Sequence, residues 1–281
     1  MVREGLAWRA WVATYNTVHS EDDIAVWMHP SGDYGVAVVA DGVSATGSGG
    51  ASFLAAQSFT MACRYYMRNH LDFETIHRCL GFVAEAARSS SVVDADIVAS
   101  LKRDYYTKCS SGGKPCTEPL TLEKVIELKQ PMIAPRRVER REAPSTTLLA
   151  AVFAGSVIGF LLLGDGIAMG MGTRREELWV SWGALPQYFQ GARVARLVEL
   201  GSGIFGRPVV LLTESEPGGL YVVATDGVDP AALAESLAEL VARVGNITEL
   251  ENPAATLLES VKTRMGGMED DASLAVIYHT G

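Results

Sequence analysis

Short apolar runs alternate with polar breaks along this chain, and the spacing of the apolar positions decides what each run becomes. Trp8–Tyr15 and Ile24–Met28 are strand-length stretches of Val, Ala and aromatic residues, separated by the polar HSEDD, and predict two strands. The turn HPSGDYG predicts a hairpin into Val36–Ala40. A small-residue loop, GVSATGSGG, opens into a helix over Ala51–Asn69. A second helix covers Phe73–Arg88, with Ile76, Leu80, Val83 and Ala87 at helical spacing. Strands resume at Thr147–Phe153, Val157–Leu163, Ile167–Met169, Leu178–Trp182 and Leu220–Ala224. Helices over Ala231–Arg243 and Pro253–Met265 precede a last strand, Ser273–Tyr278. This order predicts an α+β fold: a four-layer α-β-β-α sandwich of two mainly antiparallel sheets flanked by helices. Between 90 and 144 the pattern weakens to one helix, Leu122–Leu128, among Pro-bounded polar stretches. That segment reads as a basic insertion or flap within a single domain spanning 1–281.

Three of the apolar runs stop at Asp-Gly: VAVVA at Asp41-Gly42, FLLLG at Asp165-Gly166 and YVVAT at Asp226-Gly227. A fourth acidic step, Asp270-Asp271, stands just before the apolar run LAVI. Val-rich runs of this length read as buried strands. A carboxylate at the end of such a strand is delivered to the sheet rim, where Gly lets the chain turn sharply. Rim carboxylates converging from several strands make an all-oxygen site suited to hard divalent cations. Held close together they repel one another unless cations neutralise them.

Charge narrows the partners. The chain of 281 residues carries a net −9, and an acidic balance of this size argues against nucleic acid as a main partner. Residues 102–141 hold ten Lys/Arg against five Asp/Glu, so this segment is +5 and the remainder −14. The start MVREGLAWRAW lacks the apolar core of a signal peptide. Leu148–Gly164 is uncharged over 17 residues, but Ala154-Gly155-Ser156 divides it into strand-length halves, and a hairpin explains it better than a membrane span. The reading is a cytoplasmic protein with no membrane partner. Cys63 and Cys79 lie in apolar helical stretches and read as buried thiols. Cys109 and Cys116, in CSSGGKPC, have no neighbouring His or second pair to make a zinc site. They are read as free thiols, with a disulfide open in hosts that tolerate cytosolic disulfides.

Taken in order, the acidic pair Glu21-Asp22, VAVVADG, STTLLAAVF, LLLGDG, VVATDG and DDASLAVI resemble the motifs of the metal-dependent serine/threonine phosphatases of the PPM, or type 2C, family. The resemblance runs from about residue 8 to 278, leaving 90–144 and parts of 185–215 uncovered. It implies hydrolysis of phosphoserine and phosphothreonine in phosphoprotein substrates, opposing a serine/threonine kinase, with two divalent cations, Mn²⁺ or Mg²⁺, as cofactors. Position by position it implies that Asp41 bridges both cations with the Gly42 carbonyl as an additional ligand. Asp226 and Asp270 complete one metal's shell, Glu21 binds the other, and Asp22 and Asp271 orient waters. Asp165 matches a structural hairpin turn of the family and is left out of the site.

Two positions depart from the family. Val43 stands where many relatives carry a His, and Thr17 stands where an arginine usually grips the substrate phosphate. The basic run APRRVERREAP offers Arg136, Arg137, Arg140 and Arg141 as replacement phosphate-binding groups, since guanidinium meets phosphate bidentately. His19, beside the acidic pair, is a further candidate proton donor or phosphate contact. The missing arginine, together with the loop GVSATGSGG that departs from the family's usual sequence there, supports an alternative, a pseudophosphatase or phosphoprotein-binding regulatory module of the same fold.

Overall fold

The computed structural model describes residues 8–16, 20–43, 49–68, 70–90, 92–110, 112–129, 143–171, 178–182, 187–189, 192–194, 197–243 and 247–280. The chain opens with strands β1 (Trp8–Tyr15), β2 (Asp23–Met28) and β3 (Tyr34–Ala40). Four helices follow: α1 (Gly49–Tyr66), α2 (Phe73–Ser89), α3 (Val92–Cys109) and α4 (Leu122–Lys129). Next come β4 (Ser145–Thr146), β5 (Leu148–Ala154), β6 (Val157–Leu163), β7 (Ile167–Met171) and β8 (Leu178–Trp182). The short strands β9 (Gln187–Phe189), β10 (Ala192–Val194), β11 (Leu197–Glu199) and β12 (Gly203–Phe205) lead to β13 (Val209–Glu214) and β14 (Leu220–Ala224). Helices α5 (Pro230–Arg243) and α6 (Pro253–Met265) precede the last strand, β15 (Ala272–His279).

Two five-stranded antiparallel sheets result, in the orders β1-β15-β14-β7-β8 and β13-β6-β5-β3-β2. The runs that looked uniformly apolar are sorted by the two-residue strand period into two different cores. In β3, Val36, Val38 and Ala40 face α1 and α2, whereas Ala37 and Val39 face the opposite sheet. In β14, Leu220, Val222 and Ala224 pack with Leu233, Leu237, Leu257 and Leu258 of α5 and α6, whereas Tyr221 and Val223 point into the space between the sheets. Three apolar layers therefore separate four structural layers, the α-β-β-α sandwich that the element order predicted. Among the described residues, no helix is long and apolar enough to cross a membrane.

The segment read as an insertion outside the core differs most from expectation. Helix α3 was not predicted, and Leu101, Tyr106, Cys116, Leu120 and Val125 join Trp8, Val12 and Ile24 in the inter-sheet core. They close the open side of the sandwich where the two edge strands β1 and β2 lie, a standard protection for strand edges. Cys116 exchanges two backbone hydrogen bonds with Thr14 of β1 (2.9 and 2.8 Å). Cys109 and Cys116, expected as free thiols, form a disulfide with their Cα atoms 5.3 Å apart. Within the loop they close, the Gly113 carbonyl accepts from the Tyr15 hydroxyl at 2.7 Å and from Lys262 of α6 at 3.2 Å. Cys63 and Cys79 are buried free thiols with sulfurs 3.3 Å apart, where α1 meets α2.

Candidate metal centre

Five chain segments bring acids to one rim of the sandwich. Asp41 follows β3, Asp165 ends the β6 run, and Asp226 follows β14 after Thr225. Asp23 opens β2 directly after Glu21 and Asp22, and Asp270-Asp271 directly precedes β15. Antiparallel register makes these ends neighbours: Asp23 pairs with Ala40, Leu163 with Leu148, and Ala224 with Leu274. The main chain around Asp41 is pinned. Its N–H donates to the Thr147 hydroxyl (2.9 Å), and its carbonyl accepts from the Thr147 N–H (2.8 Å) and the Thr146 hydroxyl (2.7 Å). Gly42 is buried in a bridge to Thr146.

The glycines of the Asp-Gly steps serve close approach more than turning, and neither Gly166 nor Gly227 has a positive φ. A Cβ added at Gly166 would lie 2.5 Å from the Ala224 carbonyl oxygen and from a Leu149 methyl. One added at Gly227 would overlap the Asp271 carbonyl oxygen and stand 2.9 Å from its carbon. Bare glycine backbone thus lets the β6–β7 turn close on the end of β14, and the end of β14 close on the start of β15.

Carboxylate oxygens of Asp41, Asp165 and Asp226 all lie within 4.8 Å of one another. Asp165, assigned from its motif to a turn, sits in its bend and also belongs to this group. Among the described residues neither Glu21 nor Asp270 belongs to it. Asp270 is exposed, and its carboxylate accepts the Asp271 N–H at 2.8 Å. Asp22 is fully buried behind the group; its Oδ2 accepts from the Thr225 hydroxyl at 2.9 Å. Asp271 is also buried, and its Oδ2 accepts the Glu21 N–H at 2.5 Å and the Asp22 N–H at 3.4 Å. His19, Thr17, Arg136, Arg137, Arg140 and Arg141 lie outside the described residues.

Electrostatics mark the cluster as strained without a counter-charge. Burial, then the charges of Asp22, Asp226 and Asp165, hold the Asp41 carboxyl well above the usual carboxylate range. Burial, then the charge of Asp271, pushes Asp22 up to about 7, against the pull of hydrogen bonds from Ser273 and Thr225. The Asp22 Oδ1 atom is buried and accepts no hydrogen bond. Carboxylates in this state take a divalent cation or become protonated. Oxygen-only donors and an orphaned buried oxygen fit hard cations such as Mn²⁺ and Mg²⁺.

Sequence reasoning missed the groups that hold the acidic pair from behind. Asp23 is fully buried, with its Oδ1 accepting from the Tyr106 hydroxyl (2.8 Å) and its Oδ2 3.6 Å from the Lys102 ammonium. Burial lowers the Lys102 pKa, and Asp23 chiefly opposes the shift. The available signal was spacing: Val98, Lys102 and Tyr106 recur every four residues, placing one Lys on the apolar stripe of a helix.

A sequence profile described as Protein phosphatase 2C matches residues 14–262. Among solved structures, the chain resembles the S. agalactiae serine/threonine phosphatase at 14% identity, covering 97% of this chain and 99% of that one, with a TM-score of 0.52. The catalytic domain of serine threonine protein phosphatase PstP, in complex with 2 manganese ions, matches at 15% identity over 98% and 100%, TM-score 0.51. A bacterial serine phosphatase matches at 12% identity over 97% and 98%, TM-score 0.55. At these identities the structural likeness shows a shared fold. No curated protein sequence matches the chain. With the profile running through β3, β6 and β14, whose ends carry Asp41, Asp165 and Asp226, the chain belongs to the protein phosphatase 2C family and is an enzyme of the protein-phosphatase class.

Proposed function

We propose that this phosphatase hydrolyses phosphoserine and phosphothreonine in proteins at a two-cation site, opposing a serine/threonine kinase. The observation that carries the reading is the convergence of Asp41, Asp165 and Asp226 within 4.8 Å. Asp41, Asp226, Asp270 and Glu21, with the Gly42 carbonyl, are the proposed ligands of two Mn²⁺ or Mg²⁺ ions. Asp165 joins them as a candidate because its oxygens share the group. When bound, such ions neutralise charge on a phosphoryl group and lower the pKa of a water that attacks phosphorus in line.

The chain's own residues hold that arrangement. Thr146 and Thr147 fix the backbone of Asp41, and Thr225 fixes the Asp22 carboxylate. Asp22 and Asp271 are proposed to orient waters from behind the ligands. Val43 offers no proton to a leaving group. Arg136, Arg137, Arg140 and Arg141, with His19, remain the proposed grip on the phosphate. Replacing each arginine with Ala raises KM for a phosphopeptide on this reading; four unchanged KM values would remove the basic run from the site.

Hydrolysis of p-nitrophenyl phosphate and a phosphothreonine peptide, with Mn²⁺ and with chelator, tests the function beside Asp41→Asn and Asp226→Asn. Turnover that needs Mn²⁺ and is lost in both variants supports it. Turnover indifferent to chelator and to both substitutions would refute it. Thr17 in place of the arginine and the altered loop GVSATGSGG favour a second reading, a phosphoprotein-binding module without turnover. Mn²⁺ binding in the absence of any hydrolysis would identify that module.

A further inference from the structure

We propose that Lys102 is a positioning residue for the carboxylate site, a buried cation that fixes the Ser20–Asp22 turn from behind. The purpose of that turn rests on the phosphatase reading above; the geometry does not. Helix α3 reaches the rim because it touches the start of α1 backbone to backbone. A Cβ added at Gly50 would overlap the Ala95 carbonyl oxygen and lie 2.6 Å from the Ala95 Cα. Two turns further along α3, the Lys102 side chain runs inward with no solvent exposure. Its ammonium donates to the Glu21 carbonyl (2.9 Å), the Gly49 carbonyl (3.1 Å) and the Ser52 hydroxyl (2.7 Å), and stands 3.6 Å from Asp23 Oδ2. The Ser52 hydroxyl bonds to the same Glu21 carbonyl.

Glu21 is thereby held on both sides, since its own N–H is taken by Asp271. The turn needs holding: Ser20 is the non-glycine residue with a positive φ, 51°, among the described residues. The Asp23 carboxylate supplies a counter-charge, but two features of the place oppose a lysine. It lies at the N-terminal end of α1, where the helix dipole disfavours a cation, and it is buried. A side chain that merely filled space would be apolar. What Lys102 uniquely supplies is three directed hydrogens, and all of them go to the acidic turn or to the helix start beneath it.

Positioning and bare charge predict opposite signs for metal affinity. A nearby positive charge by itself repels Mn²⁺, so removing it should tighten binding. Loss of an outer-shell support that orients ligands should weaken binding, by ten-fold or more. The test is Lys102→Met, which keeps the aliphatic stem, measured by calorimetric Mn²⁺ titration of chelator-treated protein alongside kcat and KM for p-nitrophenyl phosphate. The expected result is Mn²⁺ affinity reduced about ten-fold or more, kcat reduced, and KM within about two-fold, because Lys102 touches no substrate. A folded Lys102→Met protein with equal or tighter Mn²⁺ affinity overturns the proposal. If that variant does not fold, Ser52→Ala removes the second donor to Glu21 while keeping the ammonium. About five-fold weaker Mn²⁺ binding is then expected, and unchanged affinity overturns the proposal. Wild-type protein that binds Mn²⁺ without turnover refutes the phosphatase reading alone, since the affinity comparison still decides the role of Lys102. Wild-type protein that binds no Mn²⁺ overturns both.

Discussion

Replacing Gly227 with Ala tests how the rim is built. The added Cβ would overlap the Asp271 carbonyl oxygen, stand 2.9 Å from the carbonyl carbon and 3.3 Å from the Ala272 Cα. These are backbone atoms at the start of β15, so no flexible side chain can turn away. Restoring ordinary contact of at least 3.4 Å to the carbonyl carbon alone requires about half an ångström of separation, and the oxygen requires more. That movement carries Asp271 with it, and Asp271 accepts the Glu21 N–H. Overpacking of this kind costs about 1–3 kcal/mol. At about 2–4 °C per kcal/mol for a large domain, the melting temperature should fall by about 2–12 °C. Mn²⁺ affinity should fall about ten-fold as the support behind Glu21 shifts. Gly81 provides the control: it lies inside α2 and a Cβ there meets nothing within 4 Å, so Gly81→Ala should be neutral or stabilising by up to about 1 kcal/mol. Differential scanning calorimetry and Mn²⁺ titration on both variants decide the matter. A Gly227→Ala protein that melts within a degree of wild type with unaltered Mn²⁺ affinity would refute the close-approach reasoning.

Relief of like-charge repulsion gives Asp41→Asn a higher melting temperature than wild type in chelator, while abolishing the rise on adding Mn²⁺; at a hundred-fold excess over Kd that rise is worth about 2.7 kcal/mol in wild type. A lower metal-free melting temperature for the variant would contradict the electrostatic picture. The pH dependence has a definite sign, because the Asp22 carboxyl is raised from 3.8 to about 7 on folding. Between those values the folded state binds more protons than the unfolded one, so metal-free stability falls as pH rises, by up to about 4 kcal/mol from this group. Melts from pH 4.5 to 7.5 in chelator should show that decline, and saturating Mn²⁺ should abolish or invert it; metal-free stability that climbs over this range would exclude it. Replacing Cys109 and Cys116 together with Ser opens a loop of sequence separation 7 and should cost about 2 kcal/mol, read as a lower melting temperature under non-reducing conditions.

The sheets were legible because their signal is redundant. In β5 and β6 all but the partly exposed Val157 are buried, and a run of that kind admits few readings once Gly155 marks the turn. The rim positions of Asp41 and Asp226 were legible for the same reason, each standing at the end of an apolar strand. Helix α3 was obscured by its own role: Lys102 and neighbouring charges flatten the apolar stripe, so the four-residue spacing of Val98, Lys102 and Tyr106 stands out only once the fold shows this Lys buried. The four strands between Gln187 and Phe205 are three residues long, too short for periodicity to distinguish them from loops. Asp165 illustrates a different limit. Its motif reads correctly as a turn, but proximity to Asp41 and Asp226 depends on Gly166 lying against Ala224, a long-range contact that no local pattern encodes.

The loop closed by Cys109 and Cys116 joins elements from opposite outer layers. Its Gly113 carbonyl meets Tyr15 and Lys262, the Tyr15 hydroxyl also bonds Glu259 of α6 at 2.6 Å, and Cys116 occupies the free edge of β1 at Thr14. Helix α3, at the other end of the loop, packs on α1 across the sandwich. In native-state hydrogen exchange these pieces should therefore behave as one opening unit. The Thr14 and Cys116 amides should exchange together with those of α3, and thiol reduction should uncouple them from it. Because α3 carries Lys102, the same opening should then loosen both that edge and the acidic rim.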